Sequence, residues 1–240
     1  MNKFDISAFQ FGGNNDFKNR IFIPTTNAAP RLAITLALDT SGSMSGRPIS
    51  ELNKGLRLFY EQIRKDPHAT DSAELCIVTF GHGGVTLAQN FAPLNRVEPP
   101  VLSADGLTPM GEAVELALNT LEARTKLYRR LGCSQHRPWL VLMSDGEPTD
   151  NIVSAASRSK SMEASGMLSV YSVGVRGANL NVLDQFSCKR QAMAMRDLGY
   201  VEFFDWLSRS TTIVSKSTPG CGDSDDLMDK NMRGWLKHRP

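Results

Sequence analysis

Four short apolar runs, Leu32 to Leu38, Leu75 to Phe80, Trp139 to Met143 and Leu168 to Val175, are nearly continuous and do not alternate with polar residues. Strands with one wet face alternate. Unbroken runs of this length belong to strands covered on both faces, as in a parallel sheet. The segments between the runs carry helical period. Ile49, Leu52, Leu56, Phe59 and Ile63 fall on one face, with Pro48 suited to the first turn. Met110, Val114, Ala117, Leu118 and Leu121 repeat the pattern, and Phe203, Trp206, Leu207 and Ser210 do so less cleanly. Val85 to Phe91 comes close behind Gly81-His82-Gly83-Gly84, which predicts an antiparallel edge strand. Strands alternating with helices of this length require right-handed crossovers. The expectation is an α/β fold: a doubly wound, mostly parallel sheet with one antiparallel edge strand and helices on both faces.

The alternation places the domain at residues 31–215. Residues 1–30 read as an arm with an added strand at Arg20 to Ile23, its Phe4, Phe9, Phe11 and Phe17 packing on the domain surface. Residues 216–240 read as a polar tail, marked by Asp223, Asp225, Asp226 and Asp229 before a run of basic residues. Lys and Arg number 27 against 25 Asp and Glu, a net charge of +2 that argues against nucleic acid or an anionic membrane as partner. The basic cluster from Arg124 to Arg137 reads as a solvated helix end and loop. No run approaches the ~18–20 apolar residues that span a bilayer. The first residues lack the apolar core of a secretory signal, so the expected location is the cytoplasm. Cysteines 76, 133, 188 and 221 are widely spaced. Cys76 reads as a small buried hydrophobe, and Cys133 with His136 lacks a second pair that would complete a zinc site.

In a doubly wound sheet, ligands bind beyond the carboxyl ends of the strands. After the first run comes Asp39-Thr40-Ser41-Gly42-Ser43; after Met143 come Ser144, Asp145 and Gly146; ahead of the Met110 helix stands Gly106-Leu107-Thr108-Pro109. These turns offer two carboxylates and three hydroxyls on one rim. Oxygen-only donors suit a hard divalent cation such as Mg²⁺. Two carboxylates against a 2+ ion leave the site about neutral, with positions open to a further carboxylate from outside. Asp-Thr-Ser-Gly alone is also an ordinary turn and helix cap; the three turns together, each after a predicted strand, carry the weight.

The run Leu36-Ala37-Leu38-Asp39-Thr40-Ser41-Gly42-Ser43-Met44 resembles the DxSxS signature of the metal-ion-dependent adhesion site of von Willebrand A domains. Thr108 and Asp145 match the rest of that signature, and the resemblance spans about residues 31 to 215. It implies that Asp39, Ser41, Ser43, Thr108 and Asp145 hold Mg²⁺ or Mn²⁺. Ser41, Ser43 and Thr108 would reach the ion directly, and Asp39 and Asp145 more often through water. A glutamate or aspartate of a partner protein would supply the remaining ligand. Within that superfamily the tracts Gly46-Arg47-Pro48-Ile49, Val78-Thr79-Phe80-Gly81, Arg137-Pro138-Trp139 and Asp145-Gly146-Glu147-Pro148-Thr149-Asp150 are similar to bacterial TerY-like proteins. This implies an intracellular stress or tellurite-resistance setting beside a protein kinase and a PP2C-type phosphatase.

The enzyme alternative is a Mg²⁺-dependent phosphohydrolase with Asp39 as nucleophile. That chemistry wants a second aspartate two residues on as general acid, where this chain has Ser41, and a lysine near the later loops, where none flanks Asp145. Gly174-Val175-Arg176-Gly177 is not a dinucleotide fingerprint, and no Gly-x-x-x-x-Gly-Lys loop occurs. A chelatase-type domain working beside an ATPase is the other reading. The expectation is a protein-binding adaptor or scaffold, not an enzyme.

Overall fold

The computed structural model describes residues 29–81, 83–145, 147–220 and 236–237. The expected Arg20–Ile23 strand, the phenylalanine-bearing arm, the Asp223–Asp229 stretch, Cys221, His82 and Gly146 lie outside the described residues.

Each predicted apolar run is a strand. β1 (Leu32–Thr40), β2 (Ala73–Gly81), β4 (Trp139–Ser144) and β5 (Ser169–Gly174) are parallel neighbours, and β3 (Gly84–Pro93) pairs antiparallel with β2 at the edge. β6 (Met193–Met195) adds a short parallel strand beside β5. A two-residue β7 (Leu236–Lys237) pairs antiparallel with β6, so the stretch expected to be only a polar tail contributes to the sheet and a second antiparallel pair closes that edge. The order is β3-β2-β1-β4-β5-β6-β7.

β1 shows why both faces must be apolar. Leu32, Ile34, Leu36 and Leu38 face one core with α1 (Arg47–Lys65) and α6 (Tyr200–Ser215). Ala33 and Ala37 face the other core, with α3 (Met110–Arg130) and α4 (Val153–Ala164). Large side chains on one side and alanines on the other let α3 approach β1 closely. Two short helices, α2 (Pro67–Ser72) and α5 (Leu180–Leu183), lie in the crossovers. Among the described residues, no helix is long and apolar enough to cross a membrane.

From β1 the chain builds β2 and β3 on one side, then returns through α3 to place β4 on the other. The switch in strand order therefore falls between β1 and β4. Their carboxyl ends lie side by side, with Leu38 opposite Met143. Crossovers leaving in opposite directions open a crevice there.

One expectation fails. Arg124, expected within a solvated basic cluster, is buried and paired: its Nε and Nη2 lie 2.7 and 2.6 Å from Glu74 Oε2, to which the Tyr128 hydroxyl also donates. Its guanidinium stands over the rings of Tyr128 and Phe91. Arg124 occupies the helix face turned toward β2, one turn before Tyr128, while Lys126, Arg129 and Arg130 on the other faces meet solvent. Cys76 is buried as expected, and burial pushes its thiol up to about 12. Cys133 and Cys188 are free thiols.

Candidate functional site

Asp39 is the penultimate residue of β1 and is fully buried. Its Oδ1 accepts from the backbone N–H of Ser41 at 2.8 Å, an Asx-type turn that bends the chain out of the strand. Its Oδ2 accepts from the Ser144 hydroxyl at 2.5 Å, tying the ends of β1 and β4 together. A single 3₁₀ turn at Gly42–Met44 comes next. It brings the Ser41 and Ser43 hydroxyls to 2.9 Å of each other, and Ser43 donates to Asp145 Oδ1 at 2.6 Å. Ser41 is buried and Ser43 exposed, so the cluster runs from the buried strand ends to the surface.

The third loop is fastened to the first through the backbone. Gly42 N–H donates to Gly106 O at 3.0 Å and Asp105 N–H to Thr40 O at 2.9 Å. Thr108 is buried in that loop. Its N–H donates to Thr149 Oγ1 at 3.1 Å, and its carbonyl accepts from Thr149 N–H at 2.9 Å. Asp150 then caps α3, accepting from the N–H groups of Gly111 and Glu112 at 3.0 and 2.8 Å. Gly111 permits this approach: a Cβ there would stand 2.5 Å from Asn151 O. The five residues singled out in the sequence thus lie on three interlocked loops. Asp39, Ser41, Ser43 and Asp145 share one network around the strand ends; Thr108 is positioned by backbone contacts.

Two residues that the sequence did not single out adjoin them. Arg176, just after β5, donates through Nη1 to Ser43 O at 2.6 Å and stands 3.9 Å from Asp145 Oδ2. The turn at the carboxyl end of β5 holds the same position as those after β1 and β4, and that position is the signal by which Arg176 could have been found. Tyr200, at the start of α6, is buried with its hydroxyl 3.7 Å from Met44 Sδ. Burial raises the Tyr200 hydroxyl well above its usual range, and the Asp145 and Asp39 charges add to that. Tyr200 lies too far along the chain for any local motif to flag it.

The electrostatics set Asp39 apart. Burial holds its carboxyl above the ordinary carboxylate range; the hydrogen bonds from Ser144 and Ser41 pull it back in part, and the Asp145 charge pushes it further up. Three Asp or Glu residues are fully buried among the described residues: Asp39, Glu74 and Glu163. Glu74 has Arg124. Glu163 accepts from Ser187 Oγ and three backbone N–H groups, with Arg190 at 3.9 Å. The groups acting on Asp39 are neutral hydroxyl and amide donors and a second carboxylate. A buried carboxylate without a cation is costly.

No three His, Cys, Asp or Glu side chains cluster as a metal site among the described residues, so hydroxyls must complete any cation site here. Two carboxylates and three hydroxyls, without nitrogen or sulfur, fit a hard divalent ion. Fold and site together define a doubly wound α/β domain with an oxygen-lined crevice at its switch point.

The family model of the von Willebrand factor type A domain matches residues 33–204, and the chain belongs to that family. Similar solved structures include the pilus adhesin SpaC from Lactobacillus rhamnosus GG in its open conformation (14% identity, 78% of this chain and 30% of that one, TM-score 0.57). Another is the vWF domain of the type V pili tip protein Mfa5 from Porphyromonas gingivalis (10% identity, 79% and 97% covered, TM-score 0.54). A third is proximal thread matrix protein 1 from the mussel byssus (15% identity, 78% and 47% covered, TM-score 0.50). The match spans about half the length of the mussel protein, 47%. At these identities the likeness concerns the fold. A search of curated proteins finds no match.

Proposed function

We propose that this chain is a divalent-metal-dependent protein-binding domain, an adaptor or scaffold and not an enzyme. In this reading Asp39, Ser41, Ser43, Thr108 and Asp145 form a metal-ion-dependent adhesion site for Mg²⁺ or Mn²⁺. One observation carries it: Asp39 is fully buried with neutral donors and a second carboxylate around it, while the other two fully buried carboxylates each have an arginine. A bound cation would supply the missing charge and an open position for a carboxylate from the partner. Asp39 and Asp145 balance the charge. The hydroxyls of Ser41, Ser43 and Thr108 add donors without adding charge, which leaves an incoming anion attracted. Leu107, 69% exposed beside Thr108, offers an apolar contact at the mouth, which favours a protein ligand over a small anion.

The family often mediates metal-dependent protein interactions. The resemblance of the Gly46–Ile49, Val78–Gly81 and Asp145–Asp150 tracts to TerY-like proteins supports a narrower placement. We place the chain in the cytoplasm, in a bacterial stress or tellurite-resistance-type system, with a protein kinase and a PP2C-type phosphatase as partners. Residues 31–215 form the bulk of the binding domain, preceded by the 1–30 arm and followed by the 216–240 stretch, whose Leu236–Lys237 pair joins the sheet.

Affinity capture tests the reading. Immobilised full-length chain should retain its partner in Mg²⁺ or Mn²⁺, lose it in chelator and recover it when metal is restored. Asp39→Ala should behave in metal as the wild type does in chelator. Capture that persists undiminished in chelator, or in folded Asp39→Ala protein, would overturn the metal-dependent reading.

A further inference from the structure

Arg176 sits where the backbone disfavours it. It and Gly177 have positive φ, +51° and +83°, and Ala178 N–H donates to Val175 O at 3.0 Å, giving the φ signs of a type I′ turn. Asn, Asp and Gly accept such positions readily; arginine does not. The other non-glycine residue with positive φ among the described residues is an aspartate, Asp197. A backbone outlier beside a site argues for what its side chain does there.

The turn is anchored where it matters. Val175 N–H donates to Ser144 O at 3.0 Å, holding the end of β5 against the end of β4, next to Asp145. From there the guanidinium reaches Ser43 O at 2.6 Å while Asp145 Oδ2 stays 3.9 Å away, beyond hydrogen-bond reach. The Arg176 side chain is 46% exposed and that of Asp145 only 3%. The arginine therefore lies on the solvent side of the carboxylate, and a guanidinium has five donors to offer.

Resting on the metal-site reading above, we infer that Arg176 determines which anions the site accepts by pairing with a second acidic group of the partner, beside the carboxylate that meets the cation. The charge count supports this. Asp39 and Asp145 offset a divalent ion, and Arg176 adds a positive charge on the solvent side of Asp145. Such a mouth discriminates for a segment with two closely spaced carboxylates over one with a single carboxylate. The arginine also repels the cation it sits beside, so the two effects have opposite signs and can be separated.

The experiment uses full-length protein with Mn²⁺, and acetate and succinate as one- and two-carboxylate probes, read by the relaxation of water protons on bound Mn²⁺. Arg176→Asn suits the left-handed turn and should fold. It should bind Mn²⁺ about three- to tenfold more tightly than wild type, because a positive neighbour is gone. It should also lose the wild-type preference for succinate over acetate. Arg176→Lys keeps the charge and should restore the wild-type Mn²⁺ affinity. Weaker or unchanged Mn²⁺ binding in Arg176→Asn would mean that Arg176 merely props the Ser43 turn, and would overturn this inference while leaving the metal site standing. A retained succinate preference would overturn it too. Wild-type protein that binds no Mn²⁺ would overturn both.

Discussion

The two ends of the sheet bury carboxylates in opposite ways. At the amino end of β2, Glu74 is closed off by Arg124 and by the Tyr128 hydroxyl, all three inside the α3 core. At the carboxyl end of β1, Asp39 is equally buried but meets Ser41, Ser144 and the nearby charge of Asp145. A resident cation makes the first pair part of the scaffold. The second arrangement is incomplete on its own terms and suits a cation from solution. One molecule thus buries one carboxylate against an arginine and another among neutral donors and a second carboxylate.

The largest effect should come from breaking the first pair. Arg124→Met leaves Glu74 charged and buried, and removing one partner of a buried pair costs about 3–5 kcal/mol. Urea unfolding of the variant should show a loss of that size. The near-isosteric Asp39→Asn, measured in chelator, should leave stability unchanged or raised, since it removes an uncompensated charge. A loss of several kcal/mol there would erase the distinction between the two sites.

Metal addition sharpens the contrast. An ion that binds only the folded chain stabilises it by about 2.7 kcal/mol at a hundredfold excess over Kd. Wild type should show that gain in thermal melts with Mg²⁺ or Mn²⁺. Arg124→Met should show the same gain from a lower baseline, and Asp39→Asn should show none. Thr108→Ala removes a neutral donor without altering charge. It should keep the fold and weaken Mn²⁺ binding by about tenfold, or ~1.4 kcal/mol.

The smallest effect concerns pH at the Arg31–Gln135 bridge. His136 is buried there, its N–H bonded to Arg31 O at 2.8 Å, and burial lowers its imidazole pKa. Its stabilising contribution is therefore intact above the unfolded value of about 6.5 and is lost as the pH falls from there through the lower folded value. Wild type should lose stability across that window, and His136→Gln should flatten the dependence, as read from urea midpoints at each pH.

Legibility in the sequence depends on the range of the interactions. Buried parallel strands are unbroken apolar runs, so β1, β2, β4 and β5 can be read directly, and Asp39, Ser41, Ser43 and Asp145 lie within a few residues of their ends. α4 leaves no such trace because its Ser- and Ala-rich face, Ser154 to Ser161, has little apolar period. β6 is three residues long and β7 two, too short for any pattern. The burial of Arg124 is hidden because its partner lies 50 positions away; Arg176 is marked only by its place after β5, because its contact, Ser43, lies 133 positions away. Ion pairs between distant elements have no local signature.

Calorimetric titration of Mn²⁺ into metal-free full-length chain, wild type beside Asp39→Asn, tests the contrast between the two carboxylates most directly. One ion should bind per wild-type chain, and none should bind the folded variant. Equal binding by both, or none by wild type, would contradict a carboxylate kept available for metal.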